Sequence, residues 1–294
     1  MDDQNWLAEQ FETNRARLRS VAYRMLGSLS DADDAVQESW LRLARSDSAR
    51  IENLSAWLTT VVARVCLNML RARQAQREEL SGVRLPDPIV TYPDDRADPE
   101  RATVLADSVS LALLVVLEAL GPDERLAFVL HDMFGMPFDE IAPIVGRTAT
   151  AARQLASRAR RRVQGVGKVP DRDLEQHRAV VDAFLAAAQT GDLTALIAVL
   201  DRAVIARSDR GAAPGTLTEL HGARAVAESA MMFSTLARLA RPALVNGAPG
   251  ILSFDAHGKL LCVMAFMVSG GRIAEIDILT DPARLRSLNL DTAR

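Results

Sequence analysis

The stretch from Phe138 to Val163, FDEIAPIVGRTATAARQLASRARRRV, constrains this chain more than any other. Phe138, Ile141, Ala142 and Val145 recur at i, i+3, i+4 and i+7, the period of one helical face. After Gly146, Ala152, Leu155, Ala159 and Val163 make a second apolar face. Opposite it lie Thr150, Gln154, Ser157 and Arg161, flanked by Arg153, Arg158, Arg160 and Arg162. No acid occurs between Glu140 and Asp171. A short helix, a glycine turn and a helix with a basic outer side form a helix-turn-helix pattern, whose second helix enters the DNA major groove. Its arginines suit phosphates, while Gln154, Thr150 and Ser157 suit base edges. The competing interpretation is a solvated basic helix on a helical bundle. Pro143 departs from the pattern, because it removes one backbone hydrogen bond near the start of the first helix.

The rest of the composition fits a modular chain. Its 294 residues suffice for two or three domains, and 49% apolar residues allow a real core. A formal net charge of −3 argues against a general nucleic-acid coat. Basic residues nevertheless outnumber acids from Arg101 to Pro170, and acids outnumber bases from Ser81 to Glu100, as expected for local DNA-binding faces joined by an acidic linker. Cys66 and Cys262 sit in apolar patterns and are expected as buried free thiols of a reducing compartment. No metal-ligand cluster is visible, and no cofactor is expected. The start is acidic without an apolar signal core, and no apolar run spans a bilayer, so a cytoplasmic protein without membrane contact is expected.

In chain order, a helix is expected from Gln4 to Met25, ended by Gly27, then a second opened by a capping box at Ser30 to Asp33. On the second, Val36, Trp40 and Leu43 face inward, and Asp34, Gln37, Glu38 and Leu41 make an acidic outer face. Acids at a helix start are also favoured by the helix dipole, which gives Asp31, Asp33 and Asp34 a purely structural explanation. A long third helix begins near Trp57 and ends in Arg64, Asn68, Arg71, Arg73, Gln74 and Arg77 with no acid before Glu78. Cations at a helix C-terminus have the same structural alternative. Ser81 to Pro99 holds too many prolines for a regular element and reads as a stiff linker. Beyond Pro170 the pattern changes to helices followed by strand-like runs at Ala203 to Arg207, Pro242 to Val245, Ile251 to Asp255, Leu260 to Val268 and Ile273 to Leu279, an α+β arrangement ending in an antiparallel meander.

Three segments in this order resemble the extracytoplasmic-function sigma factors. DADDAVQESWLRL is similar to the sigma-two helix that docks on RNA polymerase, AWLTTVVARVCLNMLRARQAQR to the helix that reads and melts the minus-ten element, and LGPDERLAFVLHDMFGMPFDEIAPIVGRTATAARQLASRARRRV to the sigma-four domain that binds the minus-thirty-five element. The tail, with its closing GGRIAEIDILTDPARLRSL, looks like a SnoaL-like (NTF2-like) cone, and SGVRLPDPIV like the linker motif of the subtype that carries one. The resemblance implies two all-α sigma domains, the second a helix-turn-helix, followed by an α+β cone. The expected bounds are 1–80 for sigma-two, 81–100 for the linker, 101–167 for sigma-four and 171–294 for the tail.

The resemblance also implies roles. Asp31, Asp33, Asp34, Gln37 and Glu38 become expected contacts to core RNA polymerase. Asn68, Arg71, Arg73 and Arg77, with Thr148, Thr150, Arg153, Gln154, Ser157, Arg158 and Arg161, become expected contacts to promoter DNA, double-stranded and melted. The loop from Arg45 to Asn53 is where the family holds a flipped base. Leu85, Pro86, Asp87 and Pro88 form the linker motif, against which the tail is expected to dock together with both sigma domains. The resemblance offers Met232, Phe233, Leu236, Phe254, Met264 and Phe266 as walls of a tail pocket for an unknown small molecule, with core filling as the alternative. His221, Asp255, His257 and Asp277 are the acid–base candidates there, and no spacing among them demands catalysis. A sigma factor tuned by its tail, not an enzyme, is the expectation. A helix-turn-helix regulator with a ligand-sensing tail and a SnoaL-like cyclase or isomerase fused to a DNA-binding domain are the alternatives.

Overall fold

The computed structural model describes residues 2–46, 51–77, 84–92, 109–165, 171, 173–211, 217–232, 234–288 and 290. They fall into two compact units. Met1–Leu80 and Leu114–Val166 belong to the first, so the two expected sigma domains cluster together. Ser81–Asp98, Ser108–Leu113 and Gly167–Arg294 belong to the second, so the linker clusters with the tail.

In the first unit, α1 (Asp2–Leu26) buries Phe11, Leu18, Ala22 and Met25 along one side. Gly27 stops it in the left-handed region, φ 67°, and donates to the Tyr23 carbonyl at 2.8 Å. Helix α2 (Leu29–Ala44) starts earlier than its acids suggest. Ser28, still extended at φ −128°, is the cap, and its hydroxyl accepts from the Asp31 amide at 3.3 Å. Val36 and Leu43 are buried, and Trp40 packs tilted against Phe11 with ring centres 5.1 Å apart. Asn53 opens α3 (Leu54–Arg77) by accepting from the Ala56 amide at 3.0 Å. Cys66 is fully buried there, which pushes its thiol up to about 12.

Helix α4 (Leu111–Glu118), which belongs to this unit from Leu114 onward, is followed by α5 (Pro122–Phe128), which continues as a π-helical turn over Val129–Met133. Helix α6 (Phe138–Val145), Gly146 at φ 68° and α7 (Ala149–Gly165) complete this unit as the sequence pattern requires. Pro143 stays inside α6 because it lies on the exposed side, while Ile141, Ala142, Ile144 and Val145 are buried.

In the second unit, Asp173 caps α8 (Leu174–Thr190), and Asp192 caps α9 (Leu193–Val199). Seven strands form one sheet in the order β1-β4-β5-β6-β7-β2-β3. They are β1 (Val90–Thr91), β2 (Leu200–Asp209), β3 (Leu217–His221), β4 (Arg241–Val245), β5 (Ala248–Phe254), β6 (Leu260–Ser269) and β7 (Arg272–Leu279). Helices α10 (Ala223–Met232) and α11 (Ser234–Ala237) precede β4, and α12 (Pro282–Ser287) closes the chain. The meander β4 to β7 is antiparallel as expected, but β2 pairs parallel with β7, so the sheet is mixed. The linker, expected to hold no regular element, contributes edge strand β1, with Val90 opposite Val245. Phe184 of α8 packs edge-on against Phe266 of β6 at 5.3 Å, over Val181, Leu196, Ile251 and Ile276. Gly250 lets β5 lie close to its neighbours β4 and β6, because a Cβ there would meet the Val245 side chain at 2.5 Å and the Met264 carbonyl at 2.7 Å.

Candidate nucleic-acid interface

Helical spacing on α2 leaves Asp34, Gln37 and Leu41 exposed as one stripe, with Glu38 beside it held by Arg42 at 2.9 Å. Asp33 is exposed but bidentate with Arg19, at 2.6 and 3.1 Å. Asp31 differs from the other acids. It is part-buried and paired with Arg73, which also donates to the Leu26 carbonyl at 3.2 Å. Both members of that pair were expected at partner surfaces, yet they join α1, α2 and α3 to one another. On α3 the outward stripe is Arg64, Asn68 and Arg71. Arg71 reaches Asp123 at the start of α5, at 2.8 Å. The Arg77 side chain and residues 47–50 of the expected base-capturing loop lie outside the described set.

Thr148 begins α7, and its hydroxyl accepts from the Ala151 amide at 3.2 Å, so this expected DNA contact is also a cap. Thr150, Arg153, Gln154, Arg158 and Arg161 are exposed, and Ser157 is half-buried. Arg153 lies over the Phe138 ring at 5.3 Å, which positions it across the turn from α6. Glu124 holds Arg158 and Arg162, both at 2.9 Å, and Asp132 holds Arg160 at 2.5 Å. Among the described residues, Thr150, Gln154 and Arg161 keep their side chains unengaged. The helix therefore presents one polar stripe of donors and acceptors edged by cations, the arrangement that reads bases and binds phosphates.

The family model for sigma-70 region 2 matches residues 10–76, and that for sigma-70 region 4 matches residues 110–163. The chain is 44% identical over 215 residues to the ECF RNA polymerase sigma factor SigJ of Mycobacterium tuberculosis, covering 72% of this chain and 68% of that protein. It is 34% identical over 302 residues to the probable ECF RNA polymerase sigma factor SigI of the same species, covering 99% of each. The crystal structure of M. tuberculosis SigJ superposes with a TM-score of 0.78 at 34% identity, covering 97% of this chain and 100% of that one. The chain belongs to the extracytoplasmic-function (ECF) RNA polymerase sigma factors. It is an alternative sigma factor that binds core RNA polymerase and promoter DNA and directs transcription initiation, and it is not an enzyme.

This ECF sigma factor carries a SnoaL-like cone after its sigma regions, and the cone holds the linker. The Leu85 amide donates to Asp209 at 2.9 Å, and Arg284 donates to the Leu85 carbonyl at 2.7 Å, to Asp87 at 2.7 Å and to Asp209 at 2.8 Å. Asn246, at φ 51°, accepts from the Ile89 amide at 3.0 Å and returns its own amide to the Ile89 carbonyl at 2.7 Å. Leu85, Pro86 and Pro88 are buried against these partners. Asp209, Arg284 and Asn246 were not singled out from sequence. Asp209 and Arg284 sit in polar stretches, SDR and ARLRS, that read as ordinary surface, and only the fold reveals their partners.

The acid–base candidates of the ECF sigma factor's cone do not converge on a pocket. His221 is exposed and lies 3.4 Å from Glu219. Asp255 accepts from the amides of His257 and Lys259 in a turn, and the bond from Lys259 above all lowers its pKa. Asp277 pairs with Arg207 at 3.0 Å, beside Glu275 at 2.8 Å. Burial pushes Asp277 up to about 6 against the pull of Arg207. A cavity of about 580 Å³ lies on the other face of the same strands. Of the proposed walls, Met264 lines it. Met232 is 78% exposed and points away. Alternation along β5 turns Ile251 and Ser253 toward the cavity and Phe254 to the other face, where Arg241 lies over its ring at 5.1 Å. Phe266 fills the core against Phe184, and Phe233 and the Leu236 side chain lie outside the described set. Among the described residues there is no metal-ligating cluster and no helix long and apolar enough to cross a membrane.

Proposed function

We propose that the sigma factor docks core polymerase through the exposed face of α2, with Asp34, Gln37 and Glu38 at its centre and Asp33 at its edge. Helix α3 then reads and melts the minus-ten element through Asn68, Arg71 and Arg77, with the following bases held by the loop between α2 and α3. Helix α7 enters the major groove of the minus-thirty-five element, where Thr150, Gln154 and Ser157 meet bases and Arg153, Arg158 and Arg161 meet phosphates. The protein acts in the cytoplasm, where core polymerase is. The SnoaL-like cone takes the place of a separate regulatory partner, docking on the sigma domains and restraining them through the linker.

The observation that carries the regulatory part is the capture of residues 85–91 by Asp209, Arg284, Asn246 and β4. A linker held at both backbone and side chain has lost the freedom to set the spacing of the two DNA-reading helices independently. The test is run-off transcription with purified core polymerase, comparing wild type, Arg284→Ala and a chain ending at Pro170. Promoter-specific yield is expected to change several-fold in both variants and in the same direction. Equal yields from all three would remove the regulatory role and leave the sigma assignment intact.

A further inference from the structure

Helix α7 holds its arginines in two ways. Arg158, Arg160 and Arg162 end on the carboxylates of Glu124 and Asp132. An ion pair fixes a guanidinium, but it occupies N–H donors and offsets the charge. Arg153 is held differently. It is exposed, no carboxylate pairs with it among the described residues, and its Cζ lies 5.3 Å from the centre of the Phe138 ring. An aromatic face takes a guanidinium by its flat side. The N–H donors lie in the guanidinium plane, so their fork stays open to a pair of phosphate oxygens and the charge stays whole.

The ring that holds Arg153 is itself held. His131 stacks on Phe138, with ring centres 3.8 Å apart and 26° between the planes. His131 belongs to the π-helical turn Val129–Met133, and such turns recur at functional sites. Its imidazole is fixed in turn, because Nδ1 donates to the Met136 carbonyl at 3.0 Å. The backbone closes around it. The Met136 amide donates to the Leu130 carbonyl at 2.9 Å, and the Gly135 amide, at φ 69°, donates to the His131 carbonyl at 3.0 Å. Phe138 is only half-buried. An aliphatic side chain would serve the apolar face of α6 as well, but it would offer no ring to either neighbour.

We propose that Phe138, steadied by His131, is a positioning residue that pre-orients Arg153 for a bidentate contact to one phosphate of the minus-thirty-five element. A long side chain loses rotamer freedom when it binds, and a fork already set loses less. The inference rests on the assignment of α7 to that element.

The test is a double-mutant cycle with holoenzyme on a promoter duplex, read by fluorescence anisotropy over a range of salt concentrations. Phe138→Leu is expected to weaken binding about two- to fivefold, and to add no loss in an Arg153→Ala background. Phe138→Tyr, which keeps the ring, is expected to bind like wild type. The salt slope is expected to fall by about 1 with Arg153→Ala and to stay at the wild-type value with Phe138→Leu, where the contact is misaligned and not deleted. Should Phe138→Leu not fold, His131→Ala, which frees the ring, takes its place and is read the same way. A loss of equal size in the wild-type and Arg153→Ala backgrounds, no loss in either, or a loss from Phe138→Tyr as large as from Phe138→Leu overturns the positioning role while leaving α7 as the reading helix. Wild-type binding by Arg153→Ala, Gln154→Ala and Arg161→Ala alike overturns the assignment of α7, and the inference with it.

Discussion

Single residues in this sigma factor often serve the fold where the family pattern points to a partner. Arg73 and Asp31 are the clearest pair, since together they tie the end of α3 to the start of α2 and to the α1 C-terminal carbonyl. A cation at a helix end and an acid at a helix start satisfy the helix dipole in any protein, so sequence alone does not separate that use from DNA or polymerase contact. Asp277 makes the energetic side of such choices measurable. Its carboxyl is held at about 6 in the fold, against an ordinary 3.8 in the unfolded chain. The folded state therefore binds more proton between those values, and the stability Asp277 contributes falls as pH rises from about 4 to about 6. Asp277→Asn removes this titration. Relative to wild type, the variant is expected to gain on the order of 1–3 kcal/mol between pH 4 and pH 7, read from urea midpoints at each pH.

At the scale of elements, the helix-turn-helix was legible because everything that defines it is local. Two apolar stripes at helical period, a glycine in the left-handed region and an acid-free second helix need no distant partner. The linker strand was not legible. Val90 and Thr91 become β1 only by pairing with Val245 and Leu244, more than a hundred residues away, and proline-rich flanks argue against any strand there. Strand β3 was missed because four of its five residues are exposed, so it lacks an apolar signal. The parallel pairing of β2 with β7 depends on a crossover that no run of residues announces. Within the cone, aromatic residues are the expected pocket walls, yet aliphatic residues such as Leu185, Leu220, Ile276 and Ile278, together with alanines and serines, make most of the wall. Phe254 alternates away from the cavity side that Ile251 and Ser253 share, and which side of β5 faces a cavity depends on the helices that cover it. On α7 the division of labour is testable with holoenzyme on promoter duplexes. Arg161→Ala is expected to weaken binding evenly across sequences and to reduce the salt slope by about 1, whereas Gln154→Ala is expected to lose about 1–3 kcal/mol of discrimination at one base position. Equal loss across all sequences from Gln154→Ala would move base reading elsewhere on the helix.

At the scale of the whole molecule, the two sigma regions that must touch DNA some distance apart share one compact unit. Their joint is graded in strength. At its centre Arg125 is buried, bound to Glu118 at 2.7 Å, and donates to the Arg24 carbonyl at 3.2 Å, while Arg24 lies over the Phe134 ring at 4.7 Å. At its edge Arg71 meets Asp123, with the arginine side chain 48% exposed. A buried pair of the first kind costs several kcal/mol to break from one side, whereas an exposed pair of the second is worth about 0.2–1 kcal/mol. Arg71 is nevertheless the cation that the proposed promoter-reading face of α3 needs free. Asp123→Ala should therefore release it without disturbing the fold. Its expected effect is tighter binding of a single-stranded minus-ten oligonucleotide, by up to about fivefold at low salt, with an unchanged unfolding midpoint. The difference should shrink as salt is raised, because both the ion pair and the phosphate contact are screened. Fluorescence anisotropy with holoenzyme measures it, and an Asp123→Ala affinity equal to wild type at every salt concentration would show that Arg71 is not among the residues that touch the promoter.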